Sequence, residues 1–202
     1  MNQFVATLTG ICFCLSLSLN PVAAEEKGAT KKEGKEVKVE TDVVKLKNLK
    51  LKVPKTWEKA KSSSSMRLAT YQVKPVEGEQ DKAELTVFNF PNQDIKQNID
   101  RWVSQFQATG RKAKTTKGTC STGEYYLVEA SGIFKKPDPN SPPFLRKTTD
   151  APDYRMLGVI LPVEGSGMYF LKLTGPDKTV HALAKAFRAS FGGDLKNETE
   201  LK

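Results

Sequence analysis

AELTVFNF at residues 83–90, followed without a break by PNQDIKQNIDRWVSQF at 91–106, changes period partway along. The first eight residues are rich in Val, Leu, Thr and Phe, side chains that suit a half-buried pleated strand. Beyond Pro91, Ile95, Ile99, Trp102, Val103 and Phe106 recur at helical spacing and form one apolar stripe. Asn92 is the expected N-cap, Asp94 puts a negative charge in the first turn, and Thr109-Gly110 is the expected stop. A parallel sheet would need many such strand-to-helix units. A sheet with one or two of them is mostly antiparallel, so the flanking sequence decides the fold.

Upstream, residues 43–53 carry Leu49, Leu51 and Val53 in alternation with Lys50 and Lys52, the pattern of a strand with lysines on its wet face. Leu46 is out of phase with that set, which predicts a bulge or tight turn at Lys47-Asn48. Pro54 ends the segment and Trp57 follows on a loop. Residues 62–65 form a polar link, 66–73 a strand, and 75–81 an acidic turn. Downstream, 112–120 and 125–134 read as strands joined through Ser121-Thr122-Gly123, a hairpin signal. Residues 135–153 are the longest irregular stretch, with prolines at 137, 139, 142, 143 and 152. Residues 154–161 are nearly continuously apolar after Arg155, as in a central strand, and 168–173 return after Glu164-Gly165-Ser166-Gly167. A second helix starts at Gly175-Pro176-Asp177 with Pro at its first position. Val180, Leu183, Ala184, Phe187 and Phe191 are its stripe, and Gly192-Gly193 its end. Consecutive strands with two helices predict an α+β fold: a mainly antiparallel sheet of about six strands packed with two amphipathic helices.

The amino terminus sets the expected compartment. Residues 4–19 are apolar and are followed by Asn20-Pro21 and Val22-Ala23-Ala24, a small-x-small cleavage pattern. Residues 1–24 thus read as a signal peptide, with Glu25 as the mature start and a periplasmic or extracellular destination in a bacterial cell. Retention as an anchor is the rival reading, although the apolar run is short of the roughly 20 residues that span a bilayer. Residues 25–42 have almost no large apolar side chains and mix five lysines with six acids, so a flexible charged leader is expected. Residues 43–193 form one domain, and 194–202 a polar C-terminal tail.

The net charge is +9, and residues 43–61 hold seven lysines against the single acid Glu58. Lys45, Lys47, Lys50, Lys52 and Lys55 form a basic strip suited to an acidic polysaccharide or an anionic lipid surface. The plainer reading is a solvated face. Specific nucleic-acid recognition is excluded, since the strip has no Arg and no interleaved stacking aromatics. Cys12 and Cys14 lie in the signal segment, leaving Cys120 without a disulfide partner. His181 is the only imidazole and falls on the flank of the second helix. No metal set, paired carboxylates or phosphate-cradling glycine loop is apparent, so no cofactor and no enzymatic activity is expected.

Two other stretches are candidate partner contacts. Arg101 and Gln105, four apart beside the apolar stripe, share a polar flank, whereas Trp102 between them reads as core. Phe144 and Leu145 sit in the proline-rich loop, where exposed apolar side chains would be adhesive.

Val53-Pro54 with Trp57, the strand-helix-meander-helix order, and the closing Phe187-x-x-x-Phe191 together resemble the PsbP-like fold. That fold is named after an extrinsic photosystem II subunit and is shared with a Ran-binding nuclear-transport protein. NIDRWVSQF at 98–106, YRMLG at 154–158 and FLKLTGP at 170–176 are similar to uncharacterised exported bacterial proteins. The resemblance implies an α/β/α sandwich and a non-catalytic module that binds another envelope or extracellular protein, or assists an assembly. It carries no site residue over to this chain. A polyanion binder and an enzyme of unrecognised type are the alternatives.

Overall fold

The computed structural model describes residues 39–62, 64–138, 141, 145 and 147–201. The predicted signal peptide, the leader up to residue 38, and Phe144 lie outside the described residues. The architecture is α+β. Residues 43–53, anticipated as one strand with a kink, form a hairpin of β1 (Thr41–Leu46) and β2 (Leu49–Pro54). The predicted tight turn falls at Lys47-Asn48, where Lys47 takes a left-handed φ of 53°. β1 begins at Thr41, so the ordered domain takes in the last two residues assigned to the leader.

β3 (Glu58–Lys59), β4 (Arg67–Val73), β5 (Ala83–Phe90), β6 (Lys112–Cys120), β7 (Gly123–Pro137), β8 (Thr148–Val163), β9 (Gly167–Pro176) and β10 (Thr199–Glu200) make the main sheet. Among the described residues it is antiparallel throughout and has eight strands, ordered β10-β6-β7-β8-β9-β5-β4-β3. The expectation of about six missed the two edge strands. Each is two residues long, too short to carry an alternation. β7 and β8 also run further than expected. Phe134–Pro137 pair with residues 148–151, so both ends of the supposed irregular stretch belong to a long hairpin.

α1 (Ile95–Val103) is shorter than its apolar stripe. Asp94, not Asn92, is the N-cap, and its carboxylate accepts from the Gln97 N–H at 2.7 Å. Phe106 has left the helix and bridges to Phe134 on β7. α2 (Asp177–Phe191) has Pro176 as its N-cap rather than its first helical residue, so it starts one position later than predicted. Gly192 closes it at φ 86°, a left-handed cap that glycine reaches without a Cβ clash.

The sheet is covered on both faces. Phe187 and Phe191 of α2 pack with Leu49, Leu51 and Val53 of β2, and with inward side chains such as Leu85, Leu157 and Leu171. Trp102 and Phe106 pack on the other face with Val128, Met156, Ile160 and Phe170. Trp102 lies flat on Gly158: a Cβ there would stand 2.5 Å from the indole ring. Trp57, on its loop, is buried in the α2-side core.

Residues 194–201, read as a polar tail, are built into the domain. A 3-10 turn at Leu195–Asn197 leads to Glu198, whose side chain is 1% exposed, and β10 then pairs with β6. The pairing partners lie far away in sequence, which is why the segment looked free.

Candidate polyanion-binding surface

The β1–β2 hairpin has two unlike faces. Val44 pairs with Leu51 and Leu46 with Leu49, and these side chains pack into the α2-side core. Opposed residues of an antiparallel pair share a face, so Val43 with Lys52 and Lys45 with Lys50 form the outer one. All four are exposed, Val43 at 67%. Among the described residues no ion pair reaches Lys45, Lys50 or Lys52. A hairpin optimised for its own stability would set opposite charges there, because like charges directly opposed weaken a sheet.

The other two predicted contacts are engaged. Lys47 turns its ammonium to the Asn89 side chain at 2.9 Å. The neighbouring Asn48 N–H donates to the Tyr169 hydroxyl at 3.1 Å, pinning the turn against the sheet. Lys55 bridges Glu40 at 3.1 Å, both side chains more than half exposed. The basic surface is therefore three lysines on one face, narrower than the five-lysine strip.

No protein-family model matches the chain, and no curated protein matches it.

Arg101 and Gln105, expected on one polar helix flank facing a partner, do not both lie on the helix. Gln105 lies beyond the end of α1, where its amide oxygen accepts from the Lys172 ammonium. Arg101 is exposed and donates to the Asn98 side chain at 2.6 Å. Leu145 is 51% exposed. His181 is exposed, and Cys120 is a free, partly buried thiol.

Among the described residues, two surface clefts bear on the question of chemistry. One of about 620 Å³ lies at the β8–β9 turn between Pro91 and Glu164. The other, about 470 Å³, is lined by Glu79, Asp81, Lys136, Asp150, Asp153 and Tyr154 among others. In the second, Lys136 donates to Asp81 at 2.9 Å, and the Tyr154 hydroxyl donates to the same carboxylate. Lys136 and Tyr154 hold Asp81 below its ordinary value. Burial, then Asp81, raises the Tyr154 phenol, and the bond to Asp81 raises Lys136. All three are driven away from neutrality, the opposite of what general acid–base work uses. Among the described residues no set of three metal-ligating side chains converges, and no helix is long and apolar enough to cross a membrane.

Sequence reading missed Lys172. It sits in the central strand β9 between Leu171 and Leu173, and a charge within FLKL was the available signal. Lys172 keeps partial solvent access although its ammonium is closely surrounded, and burial, then Arg101 and Arg67, push it down to about 8.

Proposed function

We propose that this chain is an exported, non-catalytic module of PsbP-like fold that binds polyanions through the outer face of its β1–β2 hairpin. Support for the fold comes from the order of elements and from the two helices on opposite faces of an antiparallel sheet. Export rests on the apolar segment and the Ala24 cleavage pattern. Polyanion binding is carried by one observation: Lys45 directly faces Lys50, with Lys52 beside them and no acid neutralising any of the three among the described residues. An acidic polymer or an anionic headgroup layer supplies many weak charges at once, which three flexible ammonium groups can meet without a shaped pocket.

The test is sedimentation of the purified protein with dextran sulfate beads, and with vesicles of anionic or neutral lipid, across a salt series. Binding to an anionic probe should fall steeply with salt, and the triple variant K45Q/K50Q/K52Q should lose most of it. Retention on beads alone assigns a polysaccharide, and retention on anionic vesicles alone a lipid surface. If the triple variant binds both probes like the parent, the hairpin is only a solvated face.

A further inference from the structure

On the face covered by α1, Thr70, Thr86 and Lys172 stand opposite one another on β4, β5 and β9, and Glu84 faces Thr174 one pair further along. Opposed residues share a face, so these five make a polar strip across an otherwise apolar wall. Phe134 borders it, its ring centroid 5.3 Å from the Lys172 ammonium. Arg67 reaches from the Phe88 ring to Glu84, a 3.0 Å ion pair, and thereby passes above Thr86.

Buried polar groups normally satisfy one another. Here they do not. The Thr70 and Thr174 hydroxyls are shut off from solvent and have no hydrogen-bond partner. Lys172 donates to the neutral amide of Gln105, and Arg101 to the neutral amide of Asn98. Among the described residues neither cation has an acid in an ion pair; Glu84, the acid of the strip, is taken by Arg67. Two cations without counter-charge beside an orphaned hydroxyl leave the strip short of one negative group. Burial lowers the Lys172 ammonium most, and repulsion from Arg101 and Arg67, opposed by Glu84, adds to it.

We propose that this strip binds the oxyanion of a small ligand, a phosphate or carboxylate group, which Lys172 and Arg101 neutralise and the Thr174 hydroxyl hydrogen-bonds. Thr70 lies two strands away, about 10 Å at the spacing of neighbouring strands, past Thr86 and the Arg67 guanidinium that crosses it. A ligand longer than its anionic group reaches it by displacing that guanidinium. The site is on the opposite face of the sheet from the lysine hairpin and does not depend on it.

The experiment is an NMR titration of the purified protein with inorganic phosphate, and in parallel with acetate, with potassium chloride holding ionic strength constant. Saturable amide shifts clustered at Lys172, Thr174 and Arg101 are expected with at least one probe. Saturation by phosphate alone identifies a phosphate site, and saturation by acetate alone or by both a site that accepts carboxylate. K172M and R101Q should each weaken the apparent affinity at least tenfold. R101Q alters an exposed side chain and decides the matter if K172M does not fold. Shifts spread over surface lysines, no saturation with either probe, or R101Q binding like the parent would overturn the proposal.

Discussion

Arg188 and Lys172 are both cations set into the two opposite faces of one sheet, and the fold treats them in opposite ways. Arg188 on α2 is 6% exposed and meets Glu198 in a two-pronged pair, Nε to Oε1 at 2.7 Å and Nη2 to Oε2 at 3.1 Å. Glu198 also accepts from the Tyr125 hydroxyl at 3.1 Å and from Thr116 at 2.9 Å, so both its oxygens are doubly used. Lys172 has a neutral amide and an aromatic ring for company. A charge taken out of water is tolerated when its counter-charge and hydrogen bonds arrive with the fold. Arg188 is closed in that sense and acts as structure. Lys172 is open, and open polar groups are where a ligand completes the set.

The largest effect should come from opening the closed one. Glu198→Ala strands Arg188 in a dry setting and frees Tyr125 and Thr116, and removing one partner of a buried pair costs about 3–5 kcal/mol. Urea denaturation measures the loss, and limited proteolysis should show residues 194–201 released. A loss below about 1 kcal/mol would mean that Arg188 finds water on its own, and the contrast with Lys172 would collapse.

Trp102→Ala should rank next, at about 3–5 kcal/mol for emptying a large aromatic site. The indole rests on Gly158 and meets the Phe170 ring edge-on at 6.0 Å, so it fastens α1 over the face that holds Lys172. If Trp102→Ala melts like the parent, α1 is not what closes that face, and the burial of Lys172 needs another cause.

These positions also show what was legible in the chain. Trp102, the stripe of α2 and the Ser121-Thr122 hairpin follow from spacing of three or four residues or from alternation, which are local signals. The Glu198 network joins α2, β6, β7 and the chain end, partners up to 82 residues apart, and no local pattern encodes it. Asn92 lost the cap to Asp94 because both residues can cap, and only the first residue of the helix chooses between them. For the binding surface, composition led to a strip of lysines. Which three of them face outward together depends on the register of a hairpin, and the alternation of 49–53 alone presents that hairpin as one strand.

Lys172→Met tests the open cation through its pH dependence. The folded pKa of about 8 lies below the usual lysine value of 10.5, so the folded protein binds fewer protons than the unfolded chain between those limits. Stability of the parent should therefore rise with pH from about 8 towards 10, by at most about 3 kcal/mol. Above about 10, the raised phenols, Tyr125 at about 12 foremost, work the other way, because the unfolded chain loses those protons first. Arg101, Arg67 and Glu84 face the ammonium, and K172M leaves all three in place, so parent minus K172M isolates the lysine. A flat difference curve in thermal or urea unfolding between pH 7 and 10 would make Lys172 an ordinary snorkelling side chain.

The smallest effect concerns the hairpin, where Lys45 and Lys50 face each other in the open. Lys45→Glu replaces a like-charge pair by an opposite-charge one and should stabilise the protein by about 0.2–1 kcal/mol. The same change lowers the charge of the outer face by two units, so retention on anionic probes should fall and its salt dependence flatten. Stability and binding moving in opposite directions is the signature of a surface that gives up sheet stability to hold an external anion. If Lys45→Glu gains stability while binding is unchanged, the lysines are a solvated face with poorly matched neighbours. If binding falls without any gain in stability, the ammonium groups are already far enough apart to ignore each other, and the unpaired cations that matter to the fold are confined to the Lys172 strip.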